Sequence, residues 1–176
     1  MLPEPRHRRV QLFTRLWRSA RPIHLMRFFI AGIMQGSHTA KAVHDQMYRE
    51  KVGELLATHF PTADVYDPRA RHQNSIEYAD LTGREVFFRH NAMCREVDVL
   101  VAVLPSASMG TALEMWEAYR SGATVITVSP MVHNWVVRFL SHAVYPTLDA
   151  FATALAEGDV ARRIDQVRKA GAPDVG

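Results

Sequence analysis

The sequence predicts an α/β protein: a doubly wound, flavodoxin- or Rossmann-like sheet of five parallel strands in the order 2-1-3-4-5, with helices on both faces. Two observations carry this. Uninterrupted apolar runs recur along the 176 residues, among them Val99-Leu-Val-Ala-Val-Leu104 and Ala123-Thr-Val-Ile-Thr-Val128. Stretches with helical spacing of apolar residues separate them. Strands without polar alternation belong to parallel sheets covered on both sides, and the intervening helices supply the cover.

Taken in order, residues 25–31 predict strand 1 and residues 39–60 a helix whose apolar face is Val43, Met47, Val52, Leu55 and Leu56. Tyr48 and Arg49 read as surface or interface positions of that helix. Residues 63–66 predict a short strand 2, ended by the turn Asp67-Pro68. The polar, aperiodic residues 69–80 predict a loop long enough to be functional. Residues 82–97 predict the second helix, 98–104 strand 3, and 110–121 the third helix, closed by Gly122. Residues 123–128 predict strand 4, 132–141 a short helix, and Val144-Tyr145 a brief strand 5. Thr147 caps a last helix that begins at Leu148. The expected organisation is a basic extension over 1–22, one α/β domain over 23–170, and a frayed tail over 171–176.

Charge is unevenly spread. Residues 1–27 hold seven Arg against Glu4, a net +6, whereas the whole chain carries +3. The remainder is therefore mildly acidic, so the basic balance of the whole chain gives no strong signal for a nucleic-acid-binding domain. Val10, Phe13 and Trp17 recur at helical spacing within the basic stretch. It reads as an added helix or arm on the domain or a partner subunit, with a transit peptide or a phosphate- or membrane-touching arm as rivals. The single cysteine, Cys94, rules out an intramolecular disulfide and fits a cytoplasmic setting. It falls in an apolar helical pattern and reads as core. No apolar run approaches the roughly 20 residues that cross a bilayer. Nine histidines show no compact ligand spacing, so no metal is expected, and nothing calls for a cofactor. Trp135 and Phe139, four apart on the short helix, read as core packing or a dimer contact rather than a base-stacking pair.

In a sheet of this order the ligand crevice lies between the carboxyl ends of strands 1 and 3. Two loops then face each other: Gly32-Ile33-Met-Gln-Gly36-Ser37-His38, and Pro105-Ser106-Ala-Ser108-Met109-Gly110. Each leads into a helix, and two helix N-termini with small residues and hydroxyls suit a phosphate or other anion. Ser106 and Ser108 also suit plain helix capping, which is compatible with that contact. Glu114 follows near its helix start, where the dipole favours its charged form. An ionised carboxylate beside a ligand can act as nucleophile or as partner of a cationic transition state, as glycosidic cleavage requires. Glu117, one turn on, is placed to bond a ribose or to remain solvated. Asp67 can reach the crevice mouth or cap its turn.

The strand followed by Ser108-Met-Gly110-Thr-Ala-Leu-Glu114, with Asp98 opening it, resembles the nucleoside 2-deoxyribosyltransferases and the related 2'-deoxynucleoside 5'-phosphate N-hydrolases. Phe29-Ile-Ala-Gly32, Arg84-Glu-Val-Phe-Phe-Arg89, His133-Asn-Trp135 and Tyr145-Pro-Thr-Leu-Asp149-Ala-Phe151 are similar in kind. The resemblance spans roughly residues 27–152. Gly110-Thr-Ala-Leu-Glu114 also resembles the cytokinin-activating phosphoribohydrolases.

The resemblance implies cleavage or exchange of the N-glycosidic bond of a nucleoside or nucleoside 5'-monophosphate. It makes Glu114 the nucleophile that captures C1' and Ser108 the phosphate contact, with Gly32 through His38 bordering base and sugar. Where the family places an Asp eight residues before the strand-opening Asp98, this chain has His90, followed by Asn91. Either can bond a hydroxyl, and His90 could act as an acid. The first loop carries Gln35 and His38 where the hydrolases tend to have Arg. Such enzymes often complete their sites across a subunit interface, so a homodimer or higher homo-oligomer is expected. Two rival readings remain: a non-catalytic nucleotide sensor on the same fold, and an interaction module worked by the Arg-rich arm.

Overall fold

The structure, a computed structural model, describes residues 25–35 and 43–175. Five strands form one sheet: β1 (Arg27–Gly32), β2 (Asp64–Tyr66), β3 (Val99–Val103), β4 (Thr124–Val128) and β5 (Ala143–Tyr145). Their order is β2-β1-β3-β4-β5 and every pairing is parallel. The helices are α1 (Tyr48–His59), α2 (Pro68–Arg71), α3 (Asp80–Cys94), α4 (Met109–Arg120), α5 (Trp135–Leu140), α6 (Leu148–Ala156) and α7 (Asp159–Ala170).

The apolar strands are explained by two cores, one on each face of the sheet. Successive residues of a strand point to opposite faces. Phe28, Ile30, Val99, Val101, Ile126 and Val128 pack on one side with Val52 and Leu56 of α1, Phe151 and Leu155 of α6, and Val160 and Ile164 of α7. Phe29, Ala31, Leu100, Ala102 and Val125 pack on the other with Cys94 of α3, Met115 and Ala118 of α4, and Val137 of α5. Asp98 anchors the sheet's lower edge: it accepts a hydrogen bond from the Arg27 backbone N–H at 2.8 Å and pairs with Arg168 of α7.

Several elements differ from expectation for local reasons. Residues 43–47 are not helical, and α1 starts only at Tyr48. Asp45 accepts from the Met47 N–H, and the Gln46 amide donates to the carbonyls of Ile33 and His44, which ties this stretch back to the end of β1. The residues expected as a loop over 69–80 carry α2, a 3-10 turn (Ser75–Glu77) and the first residue of α3. Asp67-Pro68 is an N-cap followed by a proline at the first helical position, with Asp67 accepting from the Arg69 N–H. The second helix ends three residues early because Arg95 and Glu96 bond to Ala92 and Met93, tightening its last turn.

The short helix is capped by Asn134, which accepts from the N–H groups of Val136 and Val137. Thr147 caps α6 by accepting from Ala150, but α6 is not the last helix. Gly158, at φ 72°, turns the chain into α7, and Gly122, at φ 84°, closes α4. The expected basic extension lies outside the described residues. Among the described residues no helix is long and apolar enough to cross a membrane.

Candidate active site

A cavity of about 700 Å³ opens at the carboxyl ends of β1 and β3. One wall is Gly32 at the end of β1 with Met34 and Gln35. A second is the start of α4: Ser108, Met109, Gly110, Thr111, Leu113 and Glu114. A third comes from α2 through α3, where His72, Ser75, Ile76, Tyr78, Asp80, Val86, Phe87 and His90 face inward. Arg49 of α1 closes the floor.

Ser108 is the N-cap of α4. Its hydroxyl accepts from the Thr111 N–H at 3.4 Å and from the Thr111 hydroxyl at 3.0 Å. The Ala112 N–H bonds to the Ser108 carbonyl. The N–H groups of Met109 and Gly110 therefore have no partner within their helix and stand at the cavity wall.

Glu114 falls six residues beyond the cap, in the second turn rather than the first. The dipole's influence has largely decayed there, and a different balance governs the side chain. Burial pushes its pKa up to about 7, and Arg49 pulls in the opposite direction. Among the described residues no hydrogen bond engages its carboxyl. The sequence reading, in which the helix dipole favours the charged form, thus gives way to a carboxyl that burial pushes toward the neutral form.

His90 forms part of an aromatic wall. Its ring lies edge-on to Phe29, Tyr66 and His72, with centroids 6.0, 5.8 and 5.2 Å away. Its Nε2 is 3.2 Å from the Tyr66 hydroxyl. Burial, then the positive neighbours, lowers its pKa to about 4. It is therefore neutral near pH 7 and is not placed to act as an acid there. Asn91 is buried beside it but donates its amide to the Phe87 carbonyl at 2.8 Å, within its own helix.

The remaining candidates divide. Gly32, Ser108, Met109 and Gly110 join Glu114 and His90 on the cavity. Ile33 is buried beneath it, and its carbonyl accepts from Gln46 and Tyr48. Ser106 is exposed on the turn, off the cavity wall. Asp67 serves α2 as a cap and pairs with Arg49. Glu117 points away from the cavity and is held by Arg95 and Arg120, which keep its carboxyl below the usual range. Gly36, Ser37 and His38 lie outside the described residues. Cys94 is buried in the core, and burial raises its thiol pKa. Trp135 and Phe139 are 75% and 54% exposed, so they do not pack into this chain's core.

The sequence reading missed Arg49, His72, Tyr78 and Asp80. Arg49 is the clearest omission: it is only 3% exposed. It lies three and seven residues before Val52 and Leu56, on the buried stripe of α1. A charge on an apolar stripe is itself a signal, because burial of an ion without partners is costly.

No family model matches the sequence, and no curated protein matches it. Among solved structures, the chain is similar to a 2-deoxyribosyltransferase from the psychrotolerant bacterium Bacillus psychrosaccharolyticus. That match has a TM-score of 0.54 and 18% identity, covering 72% of this chain and 90% of that one. A conserved protein from Enterococcus faecalis V583 matches at a TM-score of 0.42 and 20% identity, over 81% of this chain and 99% of that one. At 18% identity the likeness to the first of these shows the α/β fold.

Proposed function

We propose that this protein cleaves or exchanges the N-glycosidic bond of a nucleoside or nucleoside 5'-monophosphate, with Glu114 as nucleophile. The observation that carries this is a half-buried carboxyl, engaged by no described hydrogen-bond donor, on the wall of a cavity at the sheet's switch point. The fold likeness to a 2-deoxyribosyltransferase supports it.

In the proposed reaction, ionised Glu114 attacks C1' and forms a glycosyl ester. The C1'–N bond breaks and its electron pair leaves with the base. In hydrolysis one water supplies hydroxyl to C1' and a proton to the base, and Glu114 is released as carboxylate. In transfer a second base takes the place of water. The α4 N–H groups and Ser108 hold the 5' end, and the aromatic wall of Phe87, His90 and Tyr78 borders the base. The test is mass spectrometry of protein quenched during turnover. A sugar-sized adduct on the peptide containing Glu114 supports the reading. Base release without any adduct there contradicts the assignment of the nucleophile.

A nucleotide-binding sensor is the second reading, favoured by one observation: His90 and Asn91 supply no carboxylate beside Glu114, and the Asn91 amide is committed to the Phe87 carbonyl. Saturable binding with ligand recovered intact, and unaltered by Glu114→Gln, would select it. The exposed Trp116, Trp135 and Phe139 support a homo-oligomer. Light scattering should give a mass above one chain, and a single-chain mass would count against it.

A further inference from the structure

We infer that His72 reads the edge of the nucleobase through a hydrogen bond whose direction can reverse, because Tyr78 satisfies either tautomer of its ring. This role rests on the base lying against the α2–α3 wall of the cavity and does not require Glu114 to be the nucleophile.

The backbone brings the two side chains together. His72 ends α2: its N–H donates to the Pro68 carbonyl at 2.9 Å, and its carbonyl accepts from the Ser75 N–H. The 3-10 turn follows, closed by the Tyr78 N–H donating to the Ser75 carbonyl. The rings of His72 and Tyr78 then meet edge-on, with centroids 5.9 Å apart. His90 of α3 packs edge-on against His72 at 5.2 Å. His90 is buried and paired through Nε2 with the Tyr66 hydroxyl, so it backs the half-buried His72. His72 and Tyr78 line the same cavity as Ser108 and Glu114 of α4.

His72 Nδ1 lies 3.1 Å from the Tyr78 hydroxyl, and among the described residues no hydrogen-bond partner engages Nε2. A neutral imidazole carries one N–H and one lone pair, whereas a phenol both donates and accepts. When the hydroxyl donates to Nδ1, the proton sits on Nε2, which offers a donor. When Nδ1–H donates to the phenol oxygen, Nε2 offers a lone pair. The bond to Tyr78 survives in both states. His142 is the contrasting case. Its Nδ1 accepts from the Val125 N–H at 3.0 Å, a group that only donates, so its proton is held on Nε2.

A reversible nitrogen suits bases that invert their edge. Amino-substituted bases present an N–H donor where oxo-substituted bases present a carbonyl acceptor. A side chain of fixed polarity satisfies one class and leaves an unpaired group against the other, which costs about tenfold in affinity. His72 serves both: Nε2–H donates to an oxo base, and the Nε2 lone pair accepts from an amino base.

The experiment is 15N NMR of ring-labelled histidine in the full chain at about pH 8.5, above the ordinary imidazole range. The chain carries Glu114→Gln so that the ligand stays intact. The probes are 2'-deoxyadenosine, 2'-deoxyinosine and their 5'-monophosphates. His72 is assigned by signal loss in His72→Gln, and His142 serves as the fixed-tautomer reference. The His72 proton should sit on Nδ1 in the amino-base complex and on Nε2 in the oxo-base complex. One tautomer in both complexes, or saturable binding of none of the probes, overturns the proposal. Acceptor-only His72→Glu should favour the amino base and donor-only His72→Lys the oxo base, each by about tenfold. A ring that only packs would move neither ratio, and unmoved ratios overturn the proposal. If these variants fail to fold, the tautomers decide alone. Exchange of tautomer without base release by the native chain would keep the reader and reject the glycosidase reading. Base release with one tautomer throughout would do the reverse.

Discussion

Tyr48 fills the space that a side chain on Gly32 would need. A Cβ built on Gly32 comes within 2.9 Å of Tyr48 Cζ and closer still to the hydroxyl. The ring is enclosed, and its hydroxyl is 3.3 Å from the Ile33 carbonyl as donor. Glycine at the end of β1 is thus required by a neighbour, not by its own backbone angles.

Gly32→Ala should therefore displace the tyrosine ring. Overpacking of this kind costs about 1–3 kcal/mol. Chemical denaturation should show that loss, and the altered wall should weaken ligand binding as well. Unchanged stability would mean that Tyr48 relocates freely.

The protonation of Glu114 makes stability depend on pH with a definite sign. Its folded pKa, about 7, lies above the ordinary carboxylate value. Between those values the folded state binds more proton than the unfolded state. Stability contributed by this residue is therefore lost as pH rises toward 7. His90 works the other way: its folded pKa, about 4, lies below the ordinary value, so its contribution is lost as pH falls from about 6.5. The two slopes oppose each other over the weakly acidic range. Glu114→Gln should remove one of them, gaining on the order of 1–3 kcal/mol over the native chain at pH 8 and nearly nothing at pH 4. Thermal unfolding at both pH values checks this, and an equal difference at the two would contradict it.

Glu117→Gln should leave base release unchanged, since its carboxylate is occupied by Arg95 and Arg120 away from the cavity. Only a small loss of stability is expected, because the pairs are partly solvated. A large fall in turnover would place Glu117 at the substrate after all.

Much of the architecture was legible because burial on both faces leaves an unmistakable trace: residues 99–103 contain no polar side chain, and none is exposed. The strand order, expected as the simplest layout of a doubly wound sheet, is the one observed. What was not legible depended on side chains meeting across the fold. Asp67-Pro68 carries the same letters whether it ends a strand or caps a helix, and only the bond to Arg69 decides. The late start of α1 depends on Gln46 reaching Ile33, thirteen residues away. Glu114 was visible from its motif, but its electrostatics were misjudged. A helix start suggests an ionised group, whereas enclosure by the cavity walls favours the neutral one and Arg49 opposes it. Arg49 itself was overlooked because a helical arginine is usually solvated, even though its register with Val52 and Leu56 marked it as buried.

The most direct test is the rate of free-base release from nucleosides and their 5'-monophosphates, followed by chromatography for the native chain and for Glu114→Gln. The native chain should release base from at least one of them, with the rate rising as pH passes through about 7. The variant should retain the fold and lose about 10³-fold or more of that rate. No base from any of these compounds, or equal release by the Glu114→Gln protein, would contradict the account.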